Sequence, residues 1–368
     1  MTPTEFTDLI PNMSGDYGYD ATMSMDDYVN LDFPDVFCNK SNVRQFASHF
    51  LPPLYWLAFV VGMVGNSLVV LVYWYCTRVK TMTDTFLLNL AVADLLFLAT
   101  LPFWAVAAAD QWKFQTLACK VVTGLFWTNF YSCVLLLMCI SVDRYIAIAR
   151  AMKAQGWRRK RLAYSKLVCC AIWVLAVGLC TPEMLYSQVK RESGVSSCTM
   201  VYSRDQSTKA KSAVLTLKVT LGFFLPFLVM AFCYAIIIHT LKQTKKSKHK
   251  ALRVTTAVLS VFVLSQFPYS CVLLVRAVDA YAMLISSCAT SISVDIALQV
   301  TQTLAFLHSC LNPVLYVFVG ERFRRDLMKT LKNLGCISRA QWVSYMRRQG
   351  SLKLSSELLE TTSGALSL

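Results

Sequence analysis

Seven long apolar stretches alternate with short polar segments along the chain. They lie at 50–76, 85–109, 117–143, 163–186, 213–241, 252–277 and 294–318. A helix needs about 20 apolar residues to cross a hydrocarbon core of ~30 Å, and each stretch reaches that length. A soluble helical bundle would need polar helix faces, which Leu54–Val72 and Phe223–Ile238 do not offer. The pattern therefore predicts an all-α membrane protein, a seven-transmembrane helix bundle over residues 48–318.

The basic residues indicate how this bundle is oriented. Of the 36 Lys and Arg residues, 25 lie in or beside the segments that join spans one and two, three and four, and five and six, or follow span seven. Because cytoplasmic segments are enriched in Lys and Arg, we expect the N-terminus outside and the C-terminus in the cytosol. The net charge of +15 then reflects this topology and the attraction of the basic segments to anionic lipid head groups. No basic stripe belongs to a soluble domain, which argues against a nucleic-acid partner.

Residues 1–47 form a predicted extracellular, acidic N-terminal tail. Eight Asp or Glu residues and no Lys or Arg lie within 1–37. Such a tail is either a disordered, solvating segment or a segment that steers a basic protein ligand. Acid-flanked tyrosines are candidate sulfation sites, and Asn-x-Ser sequons are candidate glycosylation sites. They are Tyr17, Tyr19 and Tyr28 for sulfation, and Asn12 and Asn39 for glycosylation.

The segment after the last span, 319–335, has the pattern of an amphipathic helix. Apolar side chains recur there every three or four residues, opposite Arg and Lys, which is typical of a helix lying on the membrane surface. Cys336 follows directly and is a candidate palmitoylation site. Residues 336–368 form a predicted cytoplasmic, Ser/Thr-rich tail, where phosphorylation by receptor kinases would recruit arrestin. The candidate phosphorylation sites are Ser351, Ser355, Ser356, Thr361, Thr362 and Ser363.

Two short polar motifs stand at the predicted inner end of the bundle. Asp143-Arg144-Tyr145 closes span three, and Asn312-Pro313-Val314-Leu315-Tyr316 closes span seven. An Arg at the edge of a lipid-facing helix is costly, so such a residue is a functional candidate. A proline removes a backbone hydrogen bond and permits a kink, which makes Pro268 and Pro313 places where helices can pivot.

These motifs resemble those of class A, or rhodopsin-like, G-protein-coupled receptors. Gly65-Asn66-Ser67 in span one and Leu90-Ala91-Val92-Ala93-Asp94 in span two match that family's polar anchors. Thr100-Leu101-Pro102 narrows the likeness to the chemokine receptors. Asp94 would be buried at mid-membrane depth and would need polar partners, for which Ser309 and Asn312 are the expected donors.

Four of the fourteen cysteines lie on the predicted outer side. They are Cys38, Cys119, Cys198 and Cys288. Four cysteines allow three pairings. The resemblance implies one bridge between Cys119 and Cys198 and a second between Cys38 and Cys288, which would fix the tail beside the mouth of the ligand pocket.

The resemblance implies a plasma-membrane receptor that binds a basic C-C chemokine outside and activates an inhibitory-class heterotrimeric G protein inside. The response would be a rise in cytosolic calcium and leukocyte chemotaxis. Likeness to one C-C subtype at Val43–His49, Gly320–Phe323 and Glu360–Gly364 implies thymus-expressed chemokine as the ligand. Besides the tail tyrosines, the implied ligand-binding residues are Tyr55, Trp104, Phe126, Asp279, Asp295 and Gln302. The residues implied for coupling and activation are Asp94, Asp143, Arg144, Tyr145, Tyr234, Pro268, Asn312, Pro313 and Tyr316.

Several positions depart from the family's pattern. Gln266 stands where span six of the family carries a Trp switch, and Gln302 stands where many chemokine receptors carry Glu. Cys133 and His308 differ from the usual polar ligands of a sodium ion at Asp94, so the sequence does not decide whether sodium binds there. For the pocket aromatics, packing within the bundle is an alternative of equal weight to contact with the ligand.

Other classes of function are less consistent with the sequence. No triad or metal-ligand cluster indicates an enzyme, and no cofactor is expected. A transporter or channel, the remote alternative, would show internal repeats or ionisable pairs at the midplane. The closer rival is a non-signalling decoy receptor that binds and scavenges chemokine. The intact Asp143-Arg144-Tyr145 argues against a decoy, whereas Gln266 in place of the Trp switch keeps that alternative open.

Overall fold

A computed structural model of the chain describes residues 38, 40–75, 81–149, 158–192, 194–201, 207–244 and 249–347. Within those residues, seven helical spans are long and apolar enough to cross a membrane. The spans are, in order, Ser41–Tyr75, Met82–Ala109, Thr116–Ile148, Leu162–Tyr186, Ser212–Lys242, Leu252–Ala280 and Cys288–Val319. They confirm the predicted all-α, seven-span membrane fold.

The helices run beyond the apolar stretches into polar sequence at several ends. Their bounds are α1 Ser41–Tyr75, α2 Met82–Leu98, α3 Leu101–Ala109, α4 Thr116–Ala149, α5 Arg158–Tyr186, α6 Ser207–Val219, α7 Leu225–Thr244, α8 His249–Ala282, α9 Cys288–Val319 and α10 Glu321–Asn333. At the start of α9 the Ser287 hydroxyl accepts a hydrogen bond from the Thr290 backbone N–H at 3.3 Å. A capped helix can begin in polar sequence, and α9 therefore begins at Cys288 rather than at residue 294.

Two spans contain a break in regular α-helical structure. Span two is divided into α2 and α3 at Thr100, whose hydroxyl bonds the Phe97 carbonyl at 2.7 Å, just before Pro102 in the first turn of α3. Span five contains a π-helical segment, Thr220–Phe224, between α6 and α7. Such bulges insert an extra residue into a helix and often occur at functional sites.

A β-hairpin covers one end of the bundle. Strand β1 (Ser187–Glu192) pairs antiparallel with β2 (Val195–Met200), and Gly194 in the turn has φ of +79°, a backbone conformation that suits glycine. The Ser196 carbonyl accepts a hydrogen bond from the Trp112 backbone N–H at 2.9 Å. Cys198 on β2 is bonded to Cys119 at the start of span three, so the hairpin is tied to the helices.

The residues from 39 onward form one compact unit, and its interior holds two large apolar clusters. One contains buried side chains such as Phe86, Leu90 and Val134. The other is aromatic and includes Phe97, Phe126 and several neighbours from spans one, three and seven. Span three supplies residues to both clusters, and its apolar window is the most deeply buried of the seven, so it is the central helix.

The predicted amphipathic helix is present as α10. Phe323 turns inward and its ring lies 5.7 Å from Tyr316 and 6.5 Å from Tyr73, whereas Arg325 on another face is exposed. This arrangement agrees with a helix that follows the membrane surface.

Candidate ligand pocket and coupling site

The Arg144 end of the bundle, defined by Asp143 and Arg144 at the end of span three, contains a polar knot. An Arg144 guanidinium nitrogen lies 2.8 Å from Asp143 Oδ2. Thr83, from the start of span two, donates its hydroxyl to the same carboxylate oxygen at 2.7 Å and also receives a hydrogen bond from Arg144. Asp143 is 3% exposed. The two neighbouring residues of the motif are therefore paired, and Thr83 is a partner that the sequence analysis missed.

A cavity of about 240 Å³ lies beside this knot. Its lining includes Arg144, Thr255 on span six, Tyr316 on span seven and Phe323 on α10. Tyr234 and Tyr316 are two of the three tyrosines implied for coupling, and both buried hydroxyls lack a hydrogen-bond partner among the described residues. An unpaired buried hydroxyl is costly, so these two groups are suited to a second arrangement in which each finds a partner.

Asp94 is the centre of a second polar network, at the middle of the bundle. Its Oδ1 accepts hydrogen bonds from Ser309 at 2.8 Å and Asn129 at 3.3 Å, and its Oδ2 accepts one from Asn312 at 2.9 Å. The expected contacts of Asp94 with Ser309 and Asn312 are confirmed. Asn66 joins the same region by donating to the Ser309 carbonyl at 2.9 Å. The network therefore links spans one, two, three and seven.

Gln266 occupies the position of the missing Trp switch. Its side chain is 3% exposed, and its amide nitrogen lies 3.5 Å from His308 Nδ1. Phe262, one turn earlier on span six, packs edge-on against the His308 ring at 5.2 Å. Span six therefore meets span seven through a small polar contact where a large indole ring would otherwise stand. Pro268, two residues further along span six, lies inside α8.

Two of the implied pocket aromatics, Tyr55 and Phe126, belong to one packed group. It lies further along span three than the disulfide end of the bundle, which is defined by Cys119 and Cys198. Phe126 lies 5.2 Å from Phe306 and 4.9 Å from Trp127, and Tyr55 lies 5.6 Å from Phe306. Tyr55 and Phe126 are 6% and 7% exposed. Both residues therefore take part in the core of the bundle, and this packing places them at its depth rather than at its mouth.

Trp104 lies nearer the hairpin than the other implied aromatics. Its ring is 5.7 Å from Trp112, and its indole nitrogen is buried and has no hydrogen-bond partner within the described part of the chain. Gln302, on span seven, is half-buried. Trp104 therefore keeps an unused donor, and Gln302 keeps a partly exposed amide, so both side chains have polar groups available to a ligand.

The two acids implied for ligand binding, Asp279 and Asp295, differ in what they already contact. Asp295 is paired with Arg276 at 2.9 Å and with Lys40 at 2.7 Å. Asp279 accepts a hydrogen bond from the Ile285 backbone N–H at 2.8 Å and so closes the turn between spans six and seven. A cationic ligand group would have to compete with two cations for Asp295, which makes that carboxylate a weaker attractor than the sequence suggests.

A buried ion pair that the sequence analysis missed lies below the hairpin. Lys218 Nζ on span five lies 3.3 Å from Glu183 Oε1 on span four, and it stands 3.8 Å from the centroid of the Trp127 ring on span three. The two charged side chains are 4% and 1% exposed. The sequence alone could have indicated this pair, because Glu183 is an acid inside an apolar span and such a residue is expected to have a charged or polar partner.

The cysteines on the predicted outer side are all bonded. Cys119 and Cys198 form a disulfide with their Cα atoms 5.6 Å apart, and Cys38 and Cys288 are disulfide-bonded too. The predicted bridge between Cys119 and Cys198 is confirmed. Cys336 is free and exposed beyond α10.

Of the remaining candidate residues, some lie within the part of the chain that the structure describes and others lie outside it. Tyr145 is half-buried beside Arg144, and Pro313 is buried inside α9. The other candidates lie outside the described residues. They are Tyr17, Tyr19, Tyr28, Asn12, Asn39, Ser351, Ser355, Ser356, Thr361, Thr362 and Ser363.

Sequence comparisons agree with this geometry. The family model of the 7 transmembrane receptor (rhodopsin family) matches residues 65–316. C-C chemokine receptor type 9 of Homo sapiens is 76% identical over 100% of both chains. The chain belongs to the chemokine receptors of the rhodopsin family.

More distant relatives show how far the likeness extends. C-C chemokine receptor type 7 of Homo sapiens is 43% identical over 92% of both chains. Atypical chemokine receptor 4 of Bos taurus is 39% identical over 88% of this chain and 91% of its own. The chain is therefore a multi-pass plasma-membrane receptor and not an enzyme.

Proposed function

We propose that this chemokine receptor binds a basic C-C chemokine, thymus-expressed chemokine, and activates an inhibitory-class G protein. The ligand engages the disulfide end, and the G protein engages the Arg144 end. The response is a rise in cytosolic calcium and leukocyte chemotaxis. The observation that carries this proposal is the knot of Asp143, Arg144 and Thr83, a closed ion pair in which Arg144 can be released toward a partner. The 76% identity to C-C chemokine receptor type 9 supports the choice of ligand.

The distribution of basic residues supports the orientation of the bundle. Because 25 of the 36 Lys and Arg residues lie in or beside the segments that join spans one and two, three and four, and five and six, or follow span seven, the positive-inside rule favours the Arg144 end in the cytosol and the disulfide end outside. The basic inner loop Lys242–Arg253 then contacts the G protein or anionic lipid, with a solvated loop as the equal alternative.

Chemokine recognition has two parts in this proposal. The acidic tail, with sulfated Tyr17, Tyr19 and Tyr28, captures the basic chemokine core by charge. The chemokine N-terminus then enters between the spans and contacts Trp104, Gln302, Phe126 and Tyr55. Glycosylation, palmitoylation of Cys336, and phosphorylation of the tail with arrestin recruitment complete the proposal.

The decisive experiment measures G-protein activation in cells that express the intact chain or Arg144→Ala. We expect thymus-expressed chemokine, within a panel of chemokines, to activate the intact chain and to bind both. The G-protein response of the Arg144→Ala variant should be at least about tenfold weaker than that of the intact chain, which corresponds to ~1.4 kcal/mol of coupling free energy. The matched control is Arg325→Ala, because Arg325 is an exposed cation on α10 and its loss should leave the response intact.

Two other outcomes would identify a rival function. Chemokine binding without a G-protein response from the intact chain would favour the decoy receptor. Gln266 in place of the Trp switch is the feature that is consistent with that alternative. An ion current or substrate uptake without chemokine binding would favour the remote alternative of a channel or transporter.

A further inference from the structure

Three metal-ligating side chains from three different spans meet at the middle of the bundle. Asp94 of span two, Cys133 of span three and His308 of span seven offer ligand atoms that all lie within 4.8 Å of one another. Asp94 and Cys133 are fully buried, and His308 is 3% exposed. The residues are 39 and more positions apart in the sequence, which is why no spacing pattern revealed the cluster.

The hydrogen bonds of His308 turn one ring nitrogen toward the cluster. Nδ1 lies against the Ala305 carbonyl oxygen, and in the tautomer in which Nδ1 donates to that oxygen, Nε2 keeps a free lone pair for a metal. Nε2 lies 3.4 Å from Ser309 Oγ, and that hydroxyl lies 2.8 Å from Asp94 Oδ1. A ligating histidine commonly has its other nitrogen held in this way by a backbone carbonyl.

Sodium, the ion that the resemblance suggests at Asp94, does not fit these donors well. Hard cations prefer shells of oxygen atoms, whereas Cys133 offers sulfur and His308 offers nitrogen. Thiolate and imidazole are instead the ligands that zinc and related soft divalent ions prefer.

We propose that Asp94, Cys133 and His308 form a binding site for a soft divalent metal ion of the zinc type. Binding displaces the thiol proton of Cys133 to water, and the sulfur then bonds the metal as a thiolate. One carboxylate and one thiolate balance the charge of a divalent cation, so the bound site is neutral in a low-dielectric interior. No oxidation or reduction is involved.

The fourth ligand comes from a hydroxyl or from water. Ser309 Oγ is within 3.4 Å of His308 Nε2 and within 2.8 Å of Asp94 Oδ1. A cavity of about 10 Å³, lined by His308, Asn129 and Gln266, also lies against the cluster, and such a space has room for one water molecule. Three protein ligands and one exchangeable position are typical of zinc sites that are not purely structural.

The consequence of metal binding is a bridge across spans two, three and seven. His308 and Ser309 lie about one helical turn before the Asn312-Pro313 segment, where span seven is expected to pivot. A metal held by Asp94, Cys133 and His308 would oppose movement of span seven away from spans two and three. The metal is therefore expected to stabilise the receptor and to reduce its response to chemokine.

The test uses the intact, detergent-purified receptor, first stripped of metal by a chelator. Zn²⁺, Cd²⁺ and Na⁺ are titrated separately, and the melting temperature and the amount of metal retained are measured. Co²⁺ is then added, because a cobalt–thiolate bond gives a near-ultraviolet charge-transfer absorption that a merely structural cysteine does not. We expect one equivalent of Zn²⁺ or Cd²⁺ per receptor, a rise in melting temperature, and the cobalt–thiolate band.

Three variants identify the ligands. Cys133→Ser and His308→Ala should each weaken metal binding at least tenfold, and Cys133→Ser should remove the cobalt–thiolate band. Cys233→Ser is the matched control, since Cys233 is also a free, buried cysteine but lies outside the cluster, and it should bind metal like the intact chain.

The proposal is overturned if the intact receptor retains no soft metal and shows no cobalt–thiolate band, a result that needs no variant to fold. It is also overturned if Cys133→Ser, shown to be folded by its melting curve, binds metal as well as the intact chain. Stabilisation by Na⁺ alone would show that the site is an ordinary sodium site.

Discussion

At the scale of single residues, the polar side chains inside the spans carry most of the information about this receptor. The sequence predicted that Ser309 and Asn312 would contact Asp94, because a carboxyl group buried at mid-membrane depth needs polar partners. It did not reveal that Asn129 also donates to Asp94 or that Lys218 reaches Glu183. Both contacts depend on how the helices are rotated about their axes, which hydropathy alone does not specify.

The buried pair of Glu183 and Lys218 leads to a prediction about stability. Glu183→Ala leaves Lys218 as an uncompensated cation that is 4% exposed, and loss of one partner of a buried pair costs about 3–5 kcal/mol. We expect a clearly lower melting temperature for the purified receptor. The double variant Glu183→Leu with Lys218→Met removes both charges at similar volume, and it should recover most of that loss.

An exposed ion pair provides the control for this measurement. Asp110 and Lys113 lie 3.0 Å apart, with 60% and 57% of their side chains exposed, and exposed pairs contribute little. Asp110→Ala should therefore melt like the intact chain. An unchanged melting temperature for Glu183→Ala would show that Lys218 finds another partner or reaches water.

At the scale of helices, hydropathy located all seven spans but not their ends or their irregularities. The apolar stretches stop where the sequence turns polar, whereas α9 continues to a cap at Ser287. Thr220–Phe224 reads as ordinary apolar helix, and its π-helical geometry is not visible in the sequence. Of the site, the motif residues were predicted from resemblance, and the contacts that cross between spans, apart from those of Asp94 with Ser309 and Asn312, required the structure.

Gly222, inside the π-helical segment, is predicted to set how closely span five approaches span three. A Cβ atom at Gly222 would lie 2.5 Å from the Phe130 ring and 3.3 Å from the Tyr131 ring. Gly222→Ala should therefore lower the melting temperature, because overpacking a core typically costs about 1–3 kcal/mol. Adding Phe130→Leu makes room for the new methyl group and should restore part of the stability.

Gly178 supplies a matched control on span four. A Cβ atom there would meet nothing within 4 Å, and Ala is the better helix former by about 0.5–1 kcal/mol. Gly178→Ala should leave the melting temperature unchanged or slightly raised. If Gly222→Ala behaves in the same way, then spans three and five can separate slightly without loss of stability.

At the scale of the whole molecule, charge is divided between the two sides of the membrane. The chain carries a net charge of +15, yet its first 37 residues contain eight acids and no Lys or Arg. A basic chemokine that approaches from outside would therefore meet attraction from the tail first. Long-range attraction of this kind acts mainly on the association rate and weakens as salt is added.

We therefore predict that neutralising the tail slows chemokine binding without much change in dissociation. In the test variant all eight acids of residues 1–37 become Asn or Gln, so the length of the tail and Cys38 are kept. The association rate should fall about tenfold or more at low salt, and its dependence on salt should largely disappear. Surface plasmon resonance on captured receptor at several salt concentrations measures both rates. Replacing Ser24, Thr22 and Met23 by Gly, which changes no charge, is the control. A loss of affinity that appears only in the dissociation rate would show that the tail holds the bound ligand by short-range contacts instead of steering its approach.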